Sequence, residues 1–281
     1  MSAKIIDGKK IAADIREKIK KEILSLKDPP GLAVILVGKD PASSAYVRMK
    51  EKDCQEVGIQ SFHKDLPEDV PEKELLKLIR QLNKNEHVHG ILVQLPLPKH
   101  INEKKVMATI LPEKDVDGFH AVNAGKLLSG DTTGLTPCTP KGIVDLIKST
   151  GVEMAGKRAV IIGRSNIVGK PVTILLMNEN CTVTVCHSKT KDLPAVIREG
   201  DIVVAAIGRA KMITADMVKE GAIVIDVGIN RVEGKLVGDV DYDEVVKKAA
   251  YITPVPGGVG PMTRALLLTN TLEAQKKQGQ G

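Results

Sequence analysis

The sequence predicts an α/β protein built as two α/β domains that flank a cleft. Three observations support this prediction. Short apolar segments such as residues 31–38 alternate with segments of helical periodicity, which is typical of parallel strands covered on both faces. The alternation stops in a loop-rich stretch at residues 95–140 and restarts after Gly156. The length of 281 residues is sufficient for two domains.

In the first half, isoleucines at four-residue steps from Ile11 to Ile23 predict an amphipathic helix over residues 9–27. Apolar runs bounded by glycine or polar residues predict strands, and mixed segments with helical spacing predict helices. The expected strands are 31–38, 59–66 and 89–94, and the further expected helices are 42–56 and 72–85.

In the second half, Thr139 followed by Pro140 is typical of a helix start. The expected strands are 158–162, 182–186, 201–207 and 222–227, and the expected helices are 167–178, one ending at residue 199, and a last one from about Pro261. We therefore expect a first domain at residues 1–139, a second at 140–260, and a C-terminal helix at 261–281 that packs back on the first. A cleft between two domains is the expected place for chemistry.

The composition excludes some classes of protein. The formal charge is +6, but basic and acidic residues are interleaved, so the charge indicates no more than a mild attraction for anionic ligands such as a phosphate-bearing cofactor. Aromatic residues make up 2% and tryptophan is absent, too few rings for the stacking surfaces of single-stranded nucleic acid binders.

The four cysteines form no C-x-x-C pair, which predicts free thiols and no metal site. Without a secretory signal or an apolar run of about 20 residues, we expect a soluble, cytoplasmic protein with no membrane contact.

The segment after the strand at 158–162 predicts a Rossmann-type dinucleotide-binding domain. It runs Gly163-Arg164-Ser165 and reaches the next helix at Gly169, so a glycine turn leads into a helix N-terminus that can bind a pyrophosphate. The match to G-x-G-x-x-G is incomplete, because Ser165 stands for the second glycine and Gly169 comes one residue late. A purely structural strand-to-helix turn remains the alternative.

The next strand favours NADP over NAD. NAD-binding folds carry an acidic residue about 20 residues after the glycines, to hold the ribose 2′-hydroxyl. Here the strand ends in His187-Ser188-Lys189 with no carboxylate. Arg164, Ser188 and Lys189 are instead suited to a 2′-phosphate, although they could also be ordinary polar loop residues.

Tyr46 and Lys50 lie one turn apart on a predicted helix and therefore share a face. A partly buried lysine can move protons or stabilise an oxyanion, whereas the alternative is a surface lysine whose stem packs on a tyrosine. Short-chain dehydrogenases share Y-x-x-x-K, but in them it follows the glycine loop, and here it precedes that loop by more than a hundred residues. Gln94 ends an apolar strand, at the edge where α/β sheets bind ligands.

Asp115 and Asp117 flank Val116 just before Gly118. One of the two carboxylates could hold an amidine-like donor edge of a ligand. The alternative is that both aspartates only form a turn.

Taken together, these segments resemble the bifunctional methylenetetrahydrofolate dehydrogenase/cyclohydrolase family. The most specific segment, residues 253–263, reads TPVPGGVGPMT. The resemblance covers essentially the whole chain in the family's order. The other matching segments are 42–50, 90–98, 114–118, 137–140, 163–171 and 226–230.

The resemblance implies an oxidation followed by a hydrolysis. NADP+ takes a hydride from 5,10-methylenetetrahydrofolate, and water then opens the methenyl product to 10-formyltetrahydrofolate, a one-carbon donor for purine biosynthesis. It also implies a catalytic, folate-binding first domain and a homodimer whose dinucleotide domains are in contact.

The resemblance further implies a role for individual residues. Lys50 matches the central catalytic lysine, Tyr46 its substrate-stacking neighbour, Gln94 its hydrogen-bonding partner, and Asp117 the carboxylate that holds the amino edge of the pterin. The remaining substrate candidates are Val93, Leu95, Pro256, Gly257, Gly258 and Pro261, and the cofactor candidates are Gly163, Arg164, Ser165, Ser188 and Ile229.

Two alternatives remain at this point. The first is a monofunctional dehydrogenase of the same family, which would tend to lack the lysine or its partners, whereas Lys50 and Gln94 are both present. The second is a basic nucleic-acid-binding protein, which would explain the charge but not the glycine loops. We therefore expect folate one-carbon derivatives and NADP as ligands, and no nucleic acid.

Overall fold

The computed structural model describes residues 2–279, and the chain divides into two compact units. The six-stranded unit contains the chain up to Ala12 and the segment Thr139–Thr263. The three-stranded unit contains Ala13–Cys138 and the chain from Arg264 onward. Each unit is thus assembled from segments that are distant in the sequence.

The strands within residues 2–279 are β1 Lys4–Ile5, β2 Gly31–Val37, β3 Gln60–Leu66, β4 Gly90–Val93, β5 Arg158–Ile162, β6 Thr182–Cys186, β7 Ile202–Ala205, β8 Ile223–Asp226, β9 Asn230–Val232, β10 Lys235–Val237 and β11 Tyr251–Ile252. The α-helices are α1 Gly8–Ile23, α2 Pro41–Val57, α3 Glu72–Asn83, α4 Glu103–Met107, α5 Ala121–Ser129, α6 Cys138–Lys148, α7 Gly169–Asn178, α8 Leu193–Arg198, α9 Tyr242–Val245 and α10 Val259–Gln278. Short 3-10 helices lie at Pro112–Lys114 and Ala215–Met217.

The three-stranded unit is organised around β2, whose residues are all buried. Its sheet is parallel with the order β3-β2-β4. Because successive side chains of a strand point to opposite faces, Leu32 and Val34 join one apolar cluster while Ala33 and Ile35 join another. Leu267 of α10 belongs to the first cluster, so the C-terminal helix packs in this unit, as the sequence predicts.

The six-stranded unit is a Rossmann-type parallel sheet with the order β1-β11-β8-β7-β5-β6. Strands β5, β7 and β8 lie in its centre and are almost entirely buried, which explains their apolar sequences. The predicted α/β class with a parallel dinucleotide-binding sheet is thus confirmed. Because all six strands are parallel, their carboxyl ends lie at the same edge of the sheet, and this is the edge where ligands bind in such folds.

The structure differs from the expected domain boundaries at the N-terminus. The expected first domain begins at residue 1, but β1 pairs with β11 at the edge of the six-stranded sheet, so the chain up to Ala12 belongs to the other unit. The backbone N–H of Ile6 also donates to the carbonyl of Ile252 at 2.8 Å. Local sequence could not indicate this assignment, because the partner strand lies near the other end of the chain.

The sequence predicts a loop-rich segment at residues 95–140, but this segment contains α4 and α5. Each begins at a side-chain cap: Asn102 accepts the N–H of Lys105, and His120 accepts that of Val122. The hairpin of β9 and β10 was also not predicted. These elements are short, so they carry little periodic signal.

The cysteines, the possible metal-ligating side chains and the apolar character of the helices can be examined directly in residues 2–279. All four cysteines are buried, and within residues 2–279 none of them forms a disulfide. In this part of the chain, no cluster of three or more His, Cys, Asp or Glu side chains is arranged to hold a metal ion. None of its helices combines the length and the apolar character that crossing a membrane requires.

Candidate active site

Helix α2 positions Tyr46 and Lys50. It begins where the Asp40 carboxylate accepts the backbone N–H of Ser43 at 2.7 Å, with Pro41 in its first turn. It ends at Gly58, which adopts a left-handed conformation with φ of 89°. Both ends of the helix are therefore fixed, and its two functional candidates keep a constant separation of one turn.

Lys50 and Gln94 meet in the three-stranded unit. The Lys50 Nζ donates a hydrogen bond to Gln94 Oε1 at 2.9 Å. The other end of the same amide, Nε2, donates to the carbonyl of Leu95 at 2.7 Å. These two bonds define which end of the amide faces the lysine, so Gln94 presents an acceptor to Lys50.

Burial lowers the pKa of Lys50, while the nearby negative charge of Asp117 acts in the opposite direction. The Arg264 guanidinium makes a smaller contribution, which also lowers this pKa. Burial raises the pKa of Tyr46. Lys50 is thus shifted towards the neutral amine that proton transfer requires.

The segment from Asp115 to Gly118 runs beside β4, and Asp115 forms a parallel bridge with Ile91. Gly118 has a φ of 73°, and a Cβ at this position would lie 2.6 Å from the nitrogen of Pro137. No other residue could approach Pro137 so closely. The turn is therefore held against the chain that leads into α6.

The two aspartates of this segment have different surroundings. Asp115 is buried, and its Oδ2 accepts the backbone N–H of His120 at 2.7 Å and the side-chain amide of Asn123 at 2.9 Å. Asp117 is partly exposed, and no donor among residues 2–279 forms a hydrogen bond with its carboxylate. Asp115 therefore stabilises the turn, and Asp117 is the carboxylate that remains for a ligand.

The pKa of Asp117 is raised to about 6. Burial is the main cause, the positive charge of Lys50 opposes it, and the negative charge of Asp115 adds to it. A carboxylate in such surroundings gains from a ligand that donates hydrogen bonds, because these would replace the water it has lost.

Sequence reasoning missed three polar residues around this site. Arg264 on α10 forms a salt bridge with the buried Asp53 of α2, with 3.2 Å between Nη1 and Oδ2. Asn270, also on α10, donates to the carbonyls of Val116 and Thr136 at 2.8 and 2.9 Å. Their contacts span more than a hundred residues of sequence, so no local motif could have indicated them.

The glycine loop of the six-stranded unit has the close contacts that a dinucleotide site requires. Gly163 has a φ of 120°, and a Cβ there would lie 2.2 Å from the carbonyl oxygen of Ala206. A Cβ on Gly169 would lie 2.3 Å from the carbonyl oxygen of Gly163. Ser165 Oγ accepts the backbone N–H groups of Val168 and Gly169 at 3.1 and 3.3 Å, at the start of α7. The residues present therefore fit a pyrophosphate group.

Arg164 and Ser188 lie at the same level of the sheet edge. Ile162 of β5 pairs with Cys186 of β6. Arg164 comes two residues after Ile162, and Ser188 comes two residues after Cys186. Both residues are exposed. Ile229, half exposed, follows β8 at the same edge.

The substrate candidates fall in both units. Tyr46, Lys50, Val93, Gln94, Leu95 and Asp117 lie in the three-stranded unit, whereas Pro256, Gly257, Gly258 and Pro261 lie in the six-stranded unit. In that loop Gly257 has a φ of 119°, and the N–H of Gly258 donates to the carbonyl of Pro254 at 2.8 Å. The loop is thus a defined turn that leads into α10.

Together, the fold and these residues define a class: a two-unit α/β enzyme with a Rossmann-type dinucleotide-binding unit and a lysine–amide–aspartate site in the other unit. Comparison with known families identifies the class more closely. Residues 6–117 match the catalytic domain and residues 137–279 the NAD(P)-binding domain of the tetrahydrofolate dehydrogenase/cyclohydrolase family. The chain belongs to this family.

Individual relatives agree with this assignment. The chain is 57% identical to the bifunctional protein FolD of Moorella thermoacetica, over 99% of this chain and 100% of that protein. It is similar to the crystal structure of the Campylobacter jejuni bifunctional enzyme, with a TM-score of 0.96 and 51% identity over 98% and 99% of the two chains. The Trypanosoma brucei enzyme, solved with NADP and an inhibitor, gives a TM-score of 0.96 and 41% identity over 100% of both chains. These relatives support the bifunctional interpretation rather than the monofunctional alternative.

The different surroundings of the two aspartates predict that their substitution by asparagine has different effects on stability. Asp115→Asn places an amide group among two N–H donors and should lower the free energy of unfolding by about 1–3 kcal/mol. Asp117→Asn should not destabilise the protein at pH 8, because the wild-type carboxylate has a pKa of about 6, above its ordinary 3.8, and its ionisation above pH 6 opposes folding. Urea unfolding at pH 8 measures both variants. Equal destabilisation by the two would contradict the distinction.

Proposed function

We propose that this protein oxidises 5,10-methylenetetrahydrofolate with NADP+ and hydrolyses the methenyl product to 10-formyltetrahydrofolate. The observation that carries the proposal is the hydrogen bond between Lys50 and Gln94, in the same unit as an Asp117 carboxylate without a bonded donor. Membership of a family whose relatives are named as bifunctional supports both steps.

Lys50 serves the hydrolytic step. The methenyl substrate is a cation, and its positive charge beside Lys50 adds to the burial that already lowers the pKa of the amine. Gln94 accepts one Nζ hydrogen and so orients the nitrogen lone pair. The neutral amine assists the attack of water on the one-carbon bridge and then returns a proton to the departing ring nitrogen. Hydride transfer needs geometry rather than this proton shuttle.

Asp117 anchors the folate. A flat amidine-like edge, such as that of a pterin, offers two parallel N–H donors to one carboxylate. Tyr46, one turn before Lys50, stacks on the substrate, and Val93 and Leu95 flank Gln94 along the chain. Pro256, Gly257 and Gly258, in the turn before α10, and Pro261, in the first turn of α10, are the remaining candidates for a folate contact. Both activities depend on the same bound ring.

NADP is held at the carboxyl edge of the six-stranded sheet, and when bound it supplies the hydride acceptor. Gly163 allows the close approach of the pyrophosphate, and Ser165 can donate its hydroxyl proton to a phosphate oxygen while it accepts the α7 amides. Arg164 and Ser188 bind the 2′-phosphate, and Ile229 contacts the cofactor. The absence of a carboxylate after β6 favours NADP over NAD.

The protein acts as a homodimer in the cytoplasm and provides 10-formyltetrahydrofolate for purine biosynthesis. Support for the dimer comes from the hairpin of β9 and β10, where Val232 and Leu236 are 44% and 40% exposed. Support for the compartment comes from the four buried cysteines, which form no disulfide within residues 2–279, as is typical of a reducing environment.

The first test combines the wild-type assay with Lys50→Met. The wild-type enzyme should oxidise methylenetetrahydrofolate with NADP+ and hydrolyse methenyltetrahydrofolate. Lys50→Met keeps the apolar stem but removes the amine, so hydrolysis should be abolished while part of the dehydrogenase activity remains. The methenyl chromophore should then accumulate during turnover with NADP+, as an absorbance measurement would record.

The matched control for this test is Lys104→Met, on the exposed side of the short helix α4. Both activities should stay at the wild-type level in this control. If Lys50→Met hydrolyses the methenyl compound at nearly the wild-type rate, the role assigned to Lys50 is wrong.

The second test concerns Asp117. Asp117→Asn turns one acceptor into a donor that faces the donors of the pterin, so dehydrogenase and cyclohydrolase activities should fall together, by about tenfold or more. Steady-state kinetics of both reactions on one preparation measure this. Loss of a single activity would show that Asp117 is not a common anchor.

The third test concerns cofactor selectivity. Arg164→Ala removes a charge-assisted hydrogen bond of about 1.5–3 kcal/mol, so the KM for NADP+ should rise by about tenfold or more while the KM for NAD+ changes little. Dehydrogenase assays with each cofactor give the two values. Equal changes for both cofactors would contradict the assignment of Arg164 to the 2′-phosphate.

A further inference from the structure

The Asp239 side chain is fully buried in the six-stranded unit and accepts four hydrogen bonds. Its Oδ2 accepts the backbone N–H groups of Ile207 and Gly208 at 2.7 and 2.9 Å. Its Oδ1 accepts the backbone N–H of Arg209 at 2.8 Å and the side-chain amide of Asn230 at 2.9 Å. One carboxylate thus joins the segment after β7 to the first residue of β9.

Three successive N–H groups that converge on one point form a concave site for an anion. At the edge of a dinucleotide-binding sheet such a site could hold a phosphate. Here the carboxylate of Asp239 occupies it, so the segment 207–209 has its amide donors already bonded within the protein. These three backbone N–H groups are therefore not available to a phosphate of the cofactor, and the bonds fix the conformation of the segment.

Both segments held by Asp239 border the cofactor candidates. Ile207 follows Ala206, whose carbonyl oxygen lies so close to Gly163 that a Cβ there would be 2.2 Å away. Asn230 follows Ile229 directly. The Asp239 carboxylate is therefore bonded to the immediate neighbours of the glycine loop on one side and of Ile229 on the other.

The position of Asp239 is itself fixed by a second buried carboxylate, that of Asp226 at the end of β8. Asp226 Oδ1 accepts the backbone N–H groups of Gly228 and Asp239, both at 2.9 Å, and its Oδ2 accepts that of Val240 at 3.0 Å. A Cβ on Gly238 would lie 1.8 Å from Asp226 Oδ2, so this approach requires glycine. The two carboxylates form one connected network at the sheet edge.

We propose that Asp239 is a positioning residue for the dinucleotide: its carboxylate holds segment 207–209 and Asn230 in the conformation that receives NADP, without touching the cofactor. The proposal rests on the proposed binding of NADP at this edge. It adds a residue 76 positions beyond Gly163 in the sequence to the cofactor site. Hydrolysis of the methenyl substrate does not consume NADP+, so this activity is an internal reference for the fold.

The test is Asp239→Asn, which preserves shape but places an amide group opposite backbone donors. The dissociation constant of NADP+, measured by calorimetric titration, should rise by about tenfold or more, and dehydrogenase kcat/KM should fall by a similar factor. Hydrolysis of methenyltetrahydrofolate without nicotinamide cofactor should stay within about twofold of wild type, since a factor of two is less than 0.5 kcal/mol. Unchanged affinity for NADP+ would overturn the proposal.

The matched control is Asp243→Asn, an aspartate of the same region whose side chain is 81% exposed, and its NADP+ affinity should equal that of wild type. If Asp239→Asn loses both activities through unfolding, Asn230→Ala decides, because it removes one of the four bonds to Asp239. Weaker NADP+ binding with retained hydrolysis in Asn230→Ala supports the proposal, and any other result overturns it. A wild-type enzyme that fails to bind NADP+ would contradict the proposed function itself.

Discussion

The hydrogen bond from Lys50 to Gln94 is the constraint on which the candidate site of the three-stranded unit depends. An amine on a helix and an amide at the end of a strand can keep a separation of 2.9 Å only if both elements are fixed. The Asp40 cap and Gly58 fix α2, and the fully buried β4 fixes Gln94, whose second bond to Leu95 prevents rotation of the amide. The apolar clusters on both faces of β2 thus hold the helix and the strand in place, and this fixes the distance between Lys50 Nζ and Gln94 Oε1 at the edge of the sheet.

The buried carboxylates show that hydrogen-bond donors, rather than pKa, separate structural from functional groups. Burial raises the pKa of both Asp117 and Asp226 to about 6. Asp226 nevertheless accepts three backbone N–H groups and Asp239 accepts four donors, so both have partners that compensate for their loss of water. Asp117 has no such bond within residues 2–279. The fold therefore stabilises the two other carboxylates with its own donors, and Asp117 is the one that we propose for the ligand.

The sequence predicted most of the strands because burial on both faces leaves a strong apolar signal, as in β2, β4, β5 and β8. It also identified Lys50 and Gln94 as candidates from their local patterns, whereas the choice of Asp117 over Asp115 came from the family resemblance. It could not assign β1 to the six-stranded sheet, nor find the partnership of Arg264 with Asp53 or of Asp239 with segment 207–209. These contacts join residues far apart in sequence, and their polar types are equally common on solvated loops.

The departure of the glycine loop from G-x-G-x-x-G has a geometric cause. The position of Gly169 is set by its contact with the Gly163 carbonyl, where a Cβ would lie only 2.3 Å away, and not by a count of residues. Between them the chain makes a turn in which Ser165 Oγ accepts the first N–H groups of α7. A glycine at position 165 would leave these amides to an anion directly. Serine covers them but keeps its hydroxyl proton. In the proposed cofactor site, the positive end of the helix would therefore act on a phosphate through a polarised O–H donor. A search for G-x-G-x-x-G by spacing alone therefore gives only a partial match here, although the loop makes the same close turn and leads to the same helix N-terminus with one additional residue.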